Sequence, residues 1–505
     1  MNNRIILVSN RLPFVLKKVE EEAWLAEASS GGLITALVPV LQKQGGVWIG
    51  WSGAVGDDEN IELALRNAEA ESGYELKAVQ LSKEEVHNFY NGFSNEIVWP
   101  LFHDLQTICN FAPEYWETYR EVNRKFSAVI KDVEEAGDFI WVHDYHLMNV
   151  ASELRALGSS AKTAFFLHIP FPSIDLFSKL PWSKQLLSAL LEFELIGFQT
   201  VHDRHNFIQC ASELMPELEI GEDGQLIRIM TEGRVVKVGY FPISIDFDAF
   251  VASAMMPAVE RKATELRQMN PDGALVLGID RLDYTKGIPL RLRAFHTLLS
   301  RHPELREKIS LIQVVVPSRE NIPEYDALKT TIDQLVGQIN GEFGKPGGWV
   351  PVWYVYGKLT KTELLAYYRA ADIALVTPIR DGMNLVAKEF CASSIEVDCI
   401  LILSEFAGAA AQLGDGALLV NPYDTDGVAD ALLQAYLMNP QEKRSRMKSL
   451  RASIRKHDIF RWMRDFMTAA GEEERTFAQA GQSAKSAPDA GTSSHAKEAS
   501  GVIAP

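Results

Sequence analysis

Residues 371–390, ADIALVTPIRDGMNLVAKEF, bring Asp381, Glu389 and a glycine to one strand–turn–helix junction. The apolar run Ile373–Val376 lacks alternation and reads as a buried parallel strand. Pro378 ends it, Asp381-Gly382 marks a tight turn, and 383–390 has the composition of a helix opening. The first N–H groups of such a helix have no intrahelical partner and lie at the positive end of its dipole, so the junction can receive an anion. Asp381 beside those donors can accept hydroxyl hydrogens from a sugar. Glu389, about two turns on, suits a diol such as a ribose. Phosphate, sugar and ribose together suggest a nucleotide sugar; on this stretch alone, an ordinary βα loop with an acidic residue accounts for the pattern equally well.

An anionic ligand needs cations, and the chain as a whole does not supply them. With 50 Lys+Arg against 67 Asp+Glu the formal net charge is −17, which argues against general nucleic-acid binding and leaves the work to local cations. In GIDRLDYTKG, Arg281 and Lys286 follow the apolar run 274–279; a planar guanidinium plus a flexible ammonium suits a pyrophosphate. VSNRLP sets Arg11 just past the first apolar run, and SSGGL puts Gly31 and Gly32 ahead of a helical pattern, where backbone can approach a ligand. HDYHL places His143, Asp144 and His146 at a strand end, and FFLHIPFP does the same for His168. Taken singly, a loop cation is more often a solvated charge and a strand-end histidine a structural residue. HDYH lacks the i,i+4 spacing of a metal site and has no evident third ligand. Asp246-Phe247-Asp248 is formally the DxD of metal-dependent sugar transferases, but so short a match is common by chance. FYNGFSNEIVWP carries Tyr90 and Trp99, aromatic groups with polar tips that line sugar sites as readily as they pack interiors. The absence of GxGxxG after a strand and of GxxxxGK[ST] speaks against a dinucleotide oxidoreductase and a P-loop enzyme.

Positioning these residues requires strand ends. Apolar runs at 5–9, 47–51, 139–143, 163–168 and 195–199 alternate with helical periodicity at 114–134, 148–156 and 182–192. After Pro242 the pattern restarts with runs at 274–279, 309–316, 350–356, 373–376, 400–403 and 417–420. Two doubly wound α/β domains meeting near 242–250 are expected, with ligands at the carboxyl ends of the strands. A last helix is expected over 458–470, and a disordered tail, poor in large apolar residues, from 471. No apolar run approaches the roughly 18 residues of a membrane span, and the first strand begins too early for a signal peptide, so a cytoplasmic enzyme is expected. Cys109, Cys210, Cys391 and Cys399 are scattered without CxxC spacing and read as free thiols.

In chain order, VSNRLP, SGGL, WIGWSG, FSNEIVWP, WVHDYHLM, FFLHIPFPS, LIGFQT, RLDYTKGIPLRLRAF, INGEFG and RDGMNLVAKEF resemble the blocks of the trehalose-6-phosphate synthases, over residues 5–469. The resemblance implies a GT-B fold: two doubly wound Rossmann-like domains facing across a cleft, with a C-terminal helix crossing back. Its domains would be 1–245 for the acceptor and 246–450 for the nucleotide sugar, with a crossover helix at 451–470 and the tail at 471–505. The implied activity is transfer of glucose from UDP-glucose to glucose 6-phosphate with retention, forming α,α-trehalose 6-phosphate without metal or cofactor. UDP-glucose and a sugar phosphate would be the partners, with a homo-oligomer compatible.

By motif, Arg281 and Lys286 would neutralise the donor diphosphate. Asp381 and the backbone of Gly382, Met383, Asn384 and Leu385 would hold the transferred glucose and phosphates, with Val386, Ala387 and Lys388 continuing the donor-binding segment. Glu389 would hold the ribose, Leu359 would meet the base, and the Gly31-Gly32 turn would approach the donor. Arg11, Tyr90, Trp99 and Asp144 would line the acceptor site and His168 would face the reacting sugar; Asp144, His168, Arg281 and Lys286 form the expected catalytic set. Retaining glycosidases set a carboxylate nucleophile about 5 Å from an acid. Here the resemblance implies same-face attack, with the departing phosphate taking the acceptor proton, so no covalent nucleophile is assigned. One departure concerns the acceptor: the family often carries Arg where Gln338 stands, and a lost charge-assisted hydrogen bond costs roughly 1.5–3 kcal/mol. Arg319 is the compensating candidate. The related glucosylglycerol-phosphate synthases take glycerol 3-phosphate on the same scaffold but tend to lack the VSNR form, so glucose 6-phosphate stays first. The rivals outside this class are a non-catalytic sugar-phosphate sensor and a pyridoxal-phosphate-dependent phosphorylase.

Overall fold

The computed structural model describes residues 4–471 and 502–503, apart from 19–23, 29–33, 35–36, 39–40, 42–44, 56–58, 225, 232, 269, 319–322 and 346. Two compact units divide the chain. The first runs to Pro242 and takes up the chain again from Trp462; the second holds Ile243–Arg461, together with Val502 and Ile503.

In the first unit β1 (Ile5–Arg11), β2 (Gly46–Val55), β3 (Glu75–Leu81), β4 (Phe139–His143), β5 (Lys162–Phe166) and β6 (Leu195–Phe198) form a parallel sheet. Three further strands, β7 (Glu219–Asp223), β8 (Leu226–Thr231) and β9 (Arg234–Tyr240), extend it in the order β3-β2-β1-β4-β5-β6-β9-β8-β7. β9 is parallel to β6, while β8 runs antiparallel to both its neighbours. The chain order reverses between β1 and β4, the switch point at which open α/β sheets bind ligands beyond their carboxyl ends. All five residues of β4 are buried, which is why FIWVH reads as an unbroken apolar run. Helices α1 (Pro113–Val133), α2 (Val150–Ala156) and α3 (Ser183–Leu190) pack around this sheet. Trp116, Tyr119, Val122, Phe126 and Ile130 recur at helical spacing along α1 and bury its apolar stripe. The hairpin of Phe14–Lys18 and Trp24–Ala28 and the β7–β9 meander are additions to the expected strand–helix alternation.

The second unit is a parallel sheet of β10 (Ala274–Arg281), β11 (Ile309–Val316), β12 (Val352–Tyr356), β13 (Ile373–Val376), β14 (Ile400–Ser404) and β15 (Leu418–Val420), in the order β12-β11-β10-β13-β14-β15. Its switch point lies between β10 and β13. Every residue of β11 is buried. Around it lie α4 (Ile288–Arg301), α5 (Pro323–Phe343), α6 (Lys361–Ala370), α7 (Leu385–Ser393) and α8 (Pro440–Lys456).

Residues 451–470, expected as one crossover helix, are divided between two. α8 stops at Lys456 and α9 (Ile459–Ala470) begins after Asp458, whose Oδ1 accepts from Arg461 N at 2.8 Å. From Trp462 onward α9 belongs to the first unit. Phe466 stacks on Trp141 (centroids 4.4 Å, planes 9° apart) and Trp462 Nε1 donates to Phe241 O at 3.0 Å. Of the expected disordered tail, most lies outside the described residues; Val502–Ile503 pairs antiparallel with Leu359–Thr360.

Candidate active site

Beyond β10 the chain makes the turn Tyr284–Lys286, which Asp283 Oδ1 tightens by accepting from the Thr285 N–H and hydroxyl at 2.9 and 2.8 Å. Gly287 follows with φ +66°, and a Cβ there would lie 2.4 Å from Thr377 O, so only glycine lets the turn rest against the end of β13. The turn thereby sets Lys286 beside the loop after β13. Lys286 Nζ donates to Asp381 Oδ2 at 2.6 Å, with the side chains 13% and 15% exposed. Asn384, at φ +76°, donates Nδ2 to the same oxygen at 3.1 Å and caps α7 by accepting from Ala387 N at 3.2 Å. Such a backbone in a non-glycine residue costs of order 1–3 kcal/mol and persists where its surroundings over-determine it. An ammonium has three donors; with one on Asp381, two can meet a ligand oxygen. Arg281 ends β10, on the same carboxyl edge of the sheet.

Beneath lies a residue that the motif reading passed over. Arg291, 1% exposed, donates Nη1 to Asp280 Oδ2 at 2.6 Å, Nε to Thr377 Oγ1 at 3.0 Å and Nη2 to Lys286 O at 3.4 Å. One guanidinium thus ties the ends of β10 and β13 to the turn that carries Lys286. Its signal was its place on the buried stripe Ile288, Arg291, Leu292 and Phe295, whereas Arg293 is exposed.

Glu389 Oε2 accepts from the Tyr368 hydroxyl at 2.8 Å; burial holds its carboxyl above the usual range, with the hydrogen bond and Lys361 opposing. The side chain of Lys388 turns away from the loop. Its Nζ donates to Ile243 O at 2.7 Å and Gln412 Oε1 at 2.6 Å, and burial lowers its pKa to about 7. That ammonium serves the protein interior, leaving only the main chain of Lys388 for a ligand. Gly382, Met383 and Ala387 are buried, Leu385 and Val386 half-buried. Leu359 is buried and pairs with Ile503, while Gln338 stands exposed on α5. Gly31, Gly32 and Arg319 lie outside the described residues.

In the first unit Arg11 ends β1 with its guanidinium carbon 3.8 Å from the Trp51 ring centroid and 5.4 Å from that of Tyr90. Gly53, at φ +90°, leaves the space: a Cβ there would lie 2.2 Å from Arg11 Nη1. A guanidinium stacked on indole keeps its edge donors for a phosphate. Tyr90 is half-buried and Trp99 6% exposed, packed on His103 and Tyr145. Tyr90 lies on a wide π-helix from Val86 to Val98, and Trp99 opens the short α-helix Trp99–Phe102 that follows it.

Asp144 follows β4 at φ +74°, and its Oδ1 accepts from His168 N at 3.3 Å. His168 Nε2 lies 3.2 Å from His143 Nδ1, and Gln199 Nε2 lies 3.5 Å from His168 Nδ1. Burial pushes His168 down to about 3 and His143 well below its ordinary value, with His168 adding to the latter. Both rings are neutral near pH 7, so His168 carries no charge to a reaction, and it orients a hydroxyl only by giving up its 3.5 Å contact with Gln199.

Among the described residues no group of three or more His, Cys, Asp or Glu is arranged to hold a metal ion. The formal DxD is occupied otherwise: Asp246 caps a helix by accepting from Ala249 N at 2.9 Å, and Asp248 pairs with Arg455 at 2.8 Å. All four cysteines are free. No described helix is long and apolar enough to cross a membrane.

A model of glycosyltransferase family 20 matches residues 3–472. The trehalose-6-phosphate synthase of Mycobacterium avium is 40% identical over 476 residues, spanning 93% of this chain and 96% of that protein. An alpha,alpha-trehalose-phosphate synthase (UDP-forming) from Burkholderia xenovorans, solved in complex with glucose-6-phosphate, superposes with a TM-score of 0.82 at 31% identity, covering 93% of this chain and all (100%) of that one. An E. coli trehalose-6-phosphate protein bound with UDP-2-fluoro glucose gives 0.83 at 33% identity, covering 93% and 99%.

Proposed function

Because the chain belongs to glycosyltransferase family 20, the trehalose-6-phosphate synthase family of retaining GT-B enzymes, we propose that it transfers glucose from UDP-glucose to glucose 6-phosphate. The products are α,α-trehalose 6-phosphate and UDP. The observation that carries this reading is the Lys286–Asp381 pair at the mouth of α7. It sets a cation with two remaining donors beside a carboxylate suited to sugar hydroxyls. Relatives solved with glucose-6-phosphate and with UDP-2-fluoro glucose support the same two ligands.

In this reading negative charge grows on the diphosphate as its bond to the glucosyl carbon lengthens. Arg281, Lys286 and the first N–H groups of α7 are fixed before the reaction and stabilise that charge as it develops. Asp381 holds donor hydroxyls, and Glu389 takes the ribose diol. Arg11, stacked on Trp51, takes the acceptor phosphate, with Tyr90 beside it and Trp99 buried behind. Asp144 accepts from the acceptor, and His168, uncharged, orients a hydroxyl. The attacking oxygen approaches from the leaving-group face and passes its proton to the departing phosphate, so no protein nucleophile is needed.

The test supplies UDP-glucose with glucose 6-phosphate or glycerol 3-phosphate, separately, and follows UDP release and the anomeric configuration of the product. Release with glucose 6-phosphate and an α,α-linked product is expected. Release with glycerol 3-phosphate alone transfers the assignment to the glucosylglycerol-phosphate reaction, and release with neither refutes it.

A further inference from the structure

A cavity of about 490 Å³ opens among α1, α2 and α3 of the first unit, within the roughly 300–1,000 Å³ of small-molecule sites. It shares no lining residue with the site described above. One wall is the end of an aromatic stack. Tyr119 and Trp116 are buried with planes 17° apart, and the half-buried Trp182 lies on Trp116 with centroids 5.6 Å and planes 12° apart. Facing this apolar wall are an amide and carboxylates. Asn149 is 5% exposed, and its Oδ1, sealed beneath the cavity surface, has no hydrogen-bond partner among the described residues. Glu153, also buried, accepts from Arg124 Nε at 3.1 Å through one carboxylate oxygen. Gln185 adds an exposed amide.

The charge of the lining selects among ligands. Each carboxylate of the lining is already paired, Glu117 with Arg120 at 3.8 Å, Glu153 with Arg124 at 3.1 Å and Glu192 with Arg234 at 2.8 Å, so no unpaired charge is left to hold a charged ligand and an uncharged one is favoured. A neutral polyol satisfies both walls: its hydroxyls meet the Gln185 amide, Ser152 and Ser188, and its apolar C–H face lies on the indole wall. We propose that this cavity binds an uncharged saccharide of one or two hexose rings, at a site separate from that of the sugar phosphate.

The experiment titrates the full chain with glucose, maltose and α,α-trehalose by saturation-transfer NMR and calorimetry. UDP and glucose 6-phosphate are present throughout to fill the reaction site. Saturable binding of at least one of the three is expected. It should weaken at least ten-fold in Trp182→Ala and more than three-fold in Gln185→Ala, with kcat unchanged in both. Gln185 is exposed, so that variant reports even where Trp182→Ala lowers stability. No saturable binding of any probe, or equal binding by wild type and Gln185→Ala together with a folded Trp182→Ala, overturns the proposal. So does binding that raising glucose 6-phosphate displaces.

Discussion

Replacing Lys286 by Ala separates a reaction role from a stabilising one. The ammonium is 2.6 Å from Asp381, with the two side chains 13% and 15% exposed, and it belongs to a turn held by Asp283, Gly287 and Arg291 rather than by its own side chain. Removing one preorganised donor to a developing oxyanion costs about 10²–10³ in kcat, or roughly 2.7–4 kcal/mol. The stability cost is smaller. Asp381 keeps Asn384 Nδ2 at 3.1 Å and some access to solvent, so about 1–2 kcal/mol is lost. In a unit of this size that lowers Tm by roughly 2–8 °C. The assay is UDP release at saturating glucose 6-phosphate, with thermal unfolding of the same samples. A kcat within five-fold of wild type refutes the role, and so does a Tm loss well beyond that range, which would make Lys286 a stabilising residue first.

Arg291→Met leaves Asp280 buried without its cation, at a cost of about 3–5 kcal/mol, so Tm should fall by roughly 10 °C and recover in part on adding Asp280→Asn; an unchanged Tm refutes this. Arg11→Lys keeps the charge but loses the planar fork and its stacking on Trp51, so KM for glucose 6-phosphate should rise about ten-fold or more while KM for UDP-glucose stays. Equal changes in the two would refute an acceptor role. His168 is held neutral down to about 3 and His143 well below its ordinary value, so below the unfolded imidazole value near 6.5 the unfolded chain binds protons that the fold does not. Stability is therefore full above about pH 6.5 and falls as the pH drops, by up to ~1.4 kcal/mol per unit for each ring. His168→Gln should lessen that slope by about one proton in denaturant melts between pH 4 and 7; an identical slope means that His168 is already protonated in the fold.

Strands wholly inside the protein were legible because helices on both faces select uninterrupted apolar runs. Phe139–His143 and Ile309–Val316 fall where 139–143 and 309–316 were expected. β7–β9 were missed for the opposite reason: LIRIMT has only Ile229 fully buried, and its mixed polarity resembles a loop. Within the site, residue types and strand-end positions were readable, but pairings were not. Nothing local links Lys286 to Asp381, 95 positions on, or His143 to His168. Arg291 and Arg293 look alike in LRLRAF, and only helix phase buries one of them. Nor does anything local show that the tip of Lys388 turns inward onto Ile243 O. The aromatic segment divides both ways, with Tyr90 reaching the surface and Trp99 inside.

The return of α9 sets the order in which the molecule can be made. Trp141, Phe166 and Phe241 wait for Trp462 and Phe466, which leave the ribosome only after the whole second unit has been translated. At ~5–20 residues per second that interval is on the order of 10–40 s, during which the nascent first sheet presents a greasy patch to chaperones. A stop codon shortly before Trp462 would spare every residue of the reaction site and still yield a protein prone to aggregate.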